Sequence, residues 1–166
     1  MNRTIPRCLA VAAVAAACLY YALDTSGASP SAPRVVATAT PSAKGLDPAL
    51  QRALTRATAA ARRDGITVRV TSGRRSKQYQ QQLLDEAIVR YGSKRIARQY
   101  VNTPGRSTHV KGLAVDIGPT DAAYWMIQHG PEFGLCQIYA NEVWHFERVT
   151  KPGGTCPPLK ANAAGG

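Results

Sequence analysis

Two short stretches limit what this chain can fold into. One is Ser107-Thr108-His109-Val110-Lys111-Gly112-Leu113-Ala114-Val115-Asp116, and the other is Glu142-Val143-Trp144-His145. They contain two of the chain's 3 histidines and a carboxylate each. Two imidazoles and a carboxylate suit Zn2+ and leave a fourth position open for water, which separates a catalytic zinc from a structural one. In such a site His109, Asp116 and His145 hold one ion, and Glu142 stands by as the general base. Gly112 and Ala114 are small, so the backbone can bend between the first two ligands. The remaining histidine, His129, precedes Gly130 at a helix end and reads as a C-terminal capping residue.

The order of elements is legible around these stretches. Asp47 can cap a helix running to Arg63, with Pro48 at its first position, Gly65 past its end, and Leu50, Leu54, Ala57 and Ala61 on one apolar face. Ile66 to Thr71 alternates like a half-buried strand, with Ile66, Val68 and Val70 inward. Ser76 caps a second helix to about Tyr91, with Tyr79, Leu83, Ala87 and Ile88 as its core stripe. A short helix over Lys94–Tyr100 precedes the loop Asn102-Thr103-Pro104-Gly105. Leu113 to Ile117 reads as a strand whose odd positions face the core, so that Asp116 points into a cleft. A helix from Thr120 ends by His129, where Gly130-Pro131 stops it. Leu135–Tyr139 and Trp144–Arg148 close as strands, the second with His145 and Glu147 on one face. Glu142 and His145 face opposite ways on a regular strand, so a turn near Asn141 has to bring them together. Without a regular βαβ repeat, this is an α+β chain with a small, mainly antiparallel sheet and flanking helices.

The N-terminus points outside the cytoplasm. Arg3 and Arg7 precede an uncharged, Ala-rich run from Cys8 to Leu23, followed by small residues at Ser26-Gly27-Ala28, so residues 1–28 read as a signal peptide or an N-terminal anchor. Residues 29–45 are an Ala/Pro/Ser-rich linker, residues 46–158 the folded domain, and residues 159–166 a flexible tail. Two of the 4 cysteines fall in the leader, leaving Cys136 and Cys156 to form a disulfide in an oxidising compartment. The net charge of +11 fits an anionic cell wall or membrane surface. Export argues against nucleic acid, and much of the scattered charge is a solvated surface. Contact with a membrane runs only through an uncleaved leader, and a monomer is the default.

Pro104-Gly105-x-Ser107-x-His109-x-x-Gly112-x-Ala114-x-Asp116, followed by Glu142-x-Trp144-His145, resembles the signature of peptidase family M15, above all its VanY-type D-alanyl-D-alanine carboxypeptidases. Upstream, Ser72-Gly73-Arg74-Arg75-Ser76-x-x-x-Gln80 is similar to that family's Ser-Gly-Tyr-Arg-Ser-x-x-x-Gln, with Arg74 in place of the aromatic. The resemblance spans about Ile66 to Arg148. It implies a DD-peptidase/hedgehog-like fold with one zinc ion at the sheet, held by His109, Asp116 and His145, with Glu142 as base. It also implies that Arg75 faces the substrate carbonyl or carboxylate, that Gln80 lines the same site, and that Ser107 supports the first-ligand loop or touches substrate. Tyr100 and Trp144 can flank the cleft.

Two classes of function follow. One is an exported zinc peptidase acting on peptidoglycan stem peptides, removing the terminal D-alanine or cutting within the stem or cross-link. The other is a non-catalytic, zinc-containing module that binds the cell wall. Degenerate modules lose the base or a ligand, and this chain keeps Glu142 and all three ligands.

Overall fold

A computed structural model of the protein describes residues 44–165. The expected leader and nearly all of the expected linker lie outside the described residues. Among the described residues no helix is long and apolar enough to cross a membrane.

The first helix, α1, spans Pro48–Arg63. The Asp47 carboxylate accepts from the backbone N–H groups of Ala49 and Leu50, satisfying two donors that no intrahelical carbonyl can reach. Leu50, Ala53, Leu54, Ala57 and Ala61 form its buried face. That face packs with Val115, Ile117, Met126, Leu135 and Phe146 in the main core.

The sheet has four strands, β1 (Arg69–Ser72), β2 (Ala114–Gly118), β3 (Leu135–Gln137) and β4 (His145–Arg148), in the order β1-β2-β4-β3. Every pairing is antiparallel, in keeping with the α+β architecture. Strand β1 is shorter than the alternating run suggests. Ile66 and Val68 pack against the core, but β2 ends opposite Arg69, so residues before it have no ladder to join. Leu135 pairs with Arg148 and Gln137 with Phe146. Beyond Gln137 the chain leaves β4, and Tyr139 bridges Lys160 instead.

Three further details depart from the sequence reading. Helix α2 spans Lys77–Tyr91 with Ser76 as its cap, but its buried face is Gln80, Leu84 and Ala87. The face is turned because Gln80, only 1% exposed, hydrogen-bonds Arg75 and the Asn102 carbonyl, which leaves Tyr79 exposed. Leu84 and Ala87 form a small second core with Ala97, from the short helix α3 (Lys94–Ala97).

Leu113 lies outside β2 and is exposed. The ligand-bearing stretch first makes a helical turn, α4 (Thr108–Lys111). Leu113 N–H then donates to the Thr108 carbonyl, and Gly112 N–H to that of His109. With Gly112 at φ 75, this is a Schellman ending, and Leu113 belongs to the cap.

The third departure concerns residues 159–166, which read as a flexible tail. Lys160 N–H donates to the Ile138 carbonyl and its own carbonyl accepts from Ala140 N–H. Ala163 is buried with Cys136, Ile138 and Tyr139. A short, Ala- and Gly-rich composition hid a segment whose backbone hydrogen-bonds the chain beyond β3. The Cys136–Cys156 disulfide is formed, with Cα atoms 5.7 Å apart, and anchors the start of this segment.

Helix α5 spans Thr120–His129 and continues as a 3-10 turn at Gly130–Phe133. His129 sits in its last turn, stacked on Trp125 and 3.0 Å from Glu132, away from the two motifs.

Candidate metal centre

The sheet register assembles the site. Asp116 on β2 pairs directly with His145 on β4, and Ser72 at the end of β1 pairs with Asp116 on its other side. Val115 and Phe146, the next pair along, are both in the core. The strand period therefore sends Asp116 and His145 to the opposite face. Helical turn α4 brings in His109. Its N-cap is Ser107, whose hydroxyl accepts from Val110 N–H. Ser107 is buried, so in this structure it supports the ligand-bearing turn.

His109 Nε2, His145 Nδ1 and Asp116 Oδ1 form a triangle with sides of 3.2, 3.2 and 3.4 Å. Bonds of 2.0–2.1 Å to a tetrahedral zinc separate neighbouring ligand atoms by roughly 3.3–3.4 Å. The three atoms thus stand at the spacing one such ion requires, and all three residues are buried.

The proton positions agree. His109 Nδ1 is 2.8 Å from the Gly73 carbonyl, which can only accept, so Nδ1 carries the hydrogen and Nε2 offers its lone pair to the triangle. His145 Nε2 is 3.0 Å from Glu147 Oε1, which frees Nδ1 in the same way. With neutral rings oriented so, Asp116 Oδ1 is buried without a hydrogen-bond donor. Three lone pairs converging on one point are what a cation needs.

Charge reinforces this. Burial by itself raises the Asp116 carboxyl, but the close approach of His109 and His145 and the Arg75 charge hold it well below the usual carboxylate range. Burial works against a charged His145, yet Asp116 and Glu147 push it up to about 9.

A turn through residues 140–141 places Glu142: its N–H donates to the Tyr139 carbonyl, and its carbonyl accepts from His145 N–H. Glu142 Oε2 is 3.7 Å from His145 Nδ1, while Oε1 is buried without a partner. Burial, opposed by His145 and aided by Asp116, pushes the Glu142 carboxyl up to about 7. A carboxyl poised there can take up and release a proton near neutrality.

Arg75 is spoken for to a degree that its sequence position does not reveal. Nη2 donates to Asp116 Oδ2 at 2.7 Å, Nε to the Ser72 hydroxyl at 2.8 Å, and Nη1 to Gln80 Oε1 at 3.3 Å. It orients a ligand as well as lining the cleft. Gln80 acts through Arg75. Trp144 and Tyr100 are half-exposed and line the same cleft.

Two partners have no task in the sequence reading. Glu147 shares a face with His145 there, and that parity was the available signal for it. The Gly73 carbonyl leaves no trace in residue type.

A family model for VanY, D-alanyl-D-alanine carboxypeptidase, matches residues 43–151. A D-alanyl-D-alanine carboxypeptidase from Enterococcus faecalis (strain ATCC 700802 / V583) is 31% identical, over 54% of this chain and 43% of its own length. The chain thus spans less than half the length of that relative. Among solved structures, a Glu-to-Ala variant of the vancomycin resistance D,D-pentapeptidase VanY in complex with Zn(II) matches with a TM-score of 0.59 and 30% identity, covering 63% of this chain and 73% of that one. VanYB in complex with D-alanine-D-alanine gives 0.60 and 28%, with coverage of 63% and 72%. The LdcB LD-carboxypeptidase gives 0.57 and 26%, with coverage of 64% and 60%. The family match covers well over half of the sequence, and this chain belongs to the VanY D-alanyl-D-alanine carboxypeptidase family.

Proposed function

We propose that this chain is an exported, zinc-dependent peptidase that removes the C-terminal D-alanine from peptidoglycan stem peptides. The observation that carries the reading is the triangle of His109, Asp116 and His145 with the buried Glu142 carboxyl beside it. Zinc, when bound, supplies Lewis-acid chemistry, acidifying water and polarising a carbonyl. Glu142 takes a proton from the attacking water through its unpartnered oxygen. The water oxygen bonds to the scissile carbonyl carbon, the C–N bond breaks, and Glu142 returns the proton to the leaving alanine amine. Arg75, held by Ser72, Gln80 and Asp116, points its remaining N–H groups at the cleft, where they stabilise charge developing on the substrate carbonyl or carboxylate.

Export rests on the N-terminal leader and on a disulfide suited to an oxidising compartment. The VanY structures support D-Ala-D-Ala as substrate. The likeness to the LdcB LD-carboxypeptidase favours a second reading of the same class, in which the bond cut precedes a D-alanine but follows an L-centre.

The test is to incubate the zinc-loaded protein with a stem pentapeptide ending in D-Ala-D-Ala and, separately, with the tetrapeptide ending in one D-Ala, reading products by mass beside Glu142→Ala. Loss of one alanine from the pentapeptide, dependent on Glu142, is expected. Loss from the tetrapeptide alone selects the second reading, and an internal cut would make the enzyme an endopeptidase. No cleavage with zinc bound would leave only a wall-binding module.

A further inference from the structure

The residues of the metal centre line a cleft of about 500 Å3. Helix α2 runs along this cleft and turns Gln80, Leu83, Glu86, Ala87 and Arg90 towards it, one helical face. Gln80 marks the metal end, because it holds Arg75. From Gln80 to Arg90 the helix rises roughly 15 Å. An extended peptide advances roughly 3.3–3.6 Å per residue, so Arg90 stands about four residues from the reacting bond.

Arg90 has no hydrogen bond or ion pair among the described residues. Glu86, four residues earlier and its natural helical partner, instead accepts from Gln82 Nε2 at 2.9 Å. The guanidinium is thus left to the cleft, unlike Arg75, which has three protein partners. Beside it Tyr91 and Tyr100 stack with centroids 4.6 Å apart and form a stiff aromatic wall. Asn102 and Asn141 also line the cleft, each with a buried Oδ1 to which no protein group donates.

We propose that this arm is the binding site for the upstream part of a peptide, and that Arg90 binds a carboxylate carried by the peptide about four residues before the bond cleaved. The inference rests on the peptidase reading and adds to it a preference for an acidic over an amidated peptide. A guanidinium accepts a carboxylate bidentately and gains far less from a neutral amide.

Two stem peptides identical except for a free carboxylate or a carboxamide at that position separate the possibilities. Their affinities would be measured by calorimetry on the zinc-loaded Glu142→Ala protein, with and without Arg90→Gln. The acid form is expected to bind roughly fivefold tighter than the amide, and Arg90→Gln to remove the difference with zinc affinity unchanged. Equal binding of the two peptides, or a preference that survives Arg90→Gln, overturns this inference alone. Failure of both peptides to bind overturns it together with the peptidase reading.

Discussion

His145 Nε2 and Glu147 Oε1 are 3.0 Å apart on one face of β4, two residues from each other in the chain. This contact decides which nitrogen of His145 faces His109 and Asp116. Burial raises the Glu147 carboxyl, but the hydrogen bond and charge of His145, with help from Thr108 and Lys160, bring it below its ordinary value. Glu147 is therefore an anion that fixes a ligand without being one.

Replacing that anion should weaken the site while leaving all three ligands present. Glu147→Gln is expected to lower zinc affinity about 10- to 100-fold, measured by competition with a chelator. Unchanged affinity would remove Glu147 from the account.

Glu142 makes the metal-free protein sensitive to pH. Its native carboxyl sits at about 7, against 4.5 for the free group. Between those values the unfolded chain gives up the proton and the native chain keeps it, so stability falls as pH rises through this window and then levels off. Glu142→Gln cannot ionise. Above pH 7 the metal-free variant should be more stable than wild type by about 1–3 kcal/mol, and below pH 4.5 the two should converge. Urea melts of both proteins across pH check this, and parallel curves would contradict it.

Gly112 closes the His109 turn at φ 75, and an added Cβ would lie 2.7 Å from the Gly45 carbonyl. The Gly112 carbonyl also accepts from Asp47 N–H at 2.8 Å, tying the start of α1 to the ligand turn. Gly112→Ala should cost at least about 1–2 kcal/mol from the left-handed backbone alone, with zinc affinity falling alongside. A variant with wild-type melting and metal binding would show that the turn can relax.

The disulfide holds the segment that carries Lys160 and Ala163. Its loop of 20 residues predicts about 3 kcal/mol of stabilisation. Replacing Cys136 and Cys156 with Ser should lower the melting temperature and speed amide exchange at Lys160 and Ala163 above all. Uniform exchange across the domain would contradict a local anchor.

The main lines of the fold were legible because periodicity and caps agree with packing in α1, β2 and β4. The metal ligands were legible because strand parity and their residue types pointed the same way. What escaped was decided by contacts remote in sequence. Gln80 is interior because Arg75 and Asn102 use both ends of its amide, and no local pattern encodes that. Arg75 was legible as a residue of the site but not as the partner of Asp116, which the register of β1 on β2 brings to it. The segment after Cys156 has neither helical nor strand period, and its order comes from pairing with residues 138–140.

The most direct measurement is the zinc content of the purified protein after dialysis, together with anomalous diffraction at the zinc edge. The account predicts one ion per chain, placed between His109 Nε2, Asp116 Oδ1 and His145 Nδ1, and none in Asp116→Ala. A metal-free protein in the presence of zinc, or an ion bound elsewhere and retained by Asp116→Ala, would contradict it.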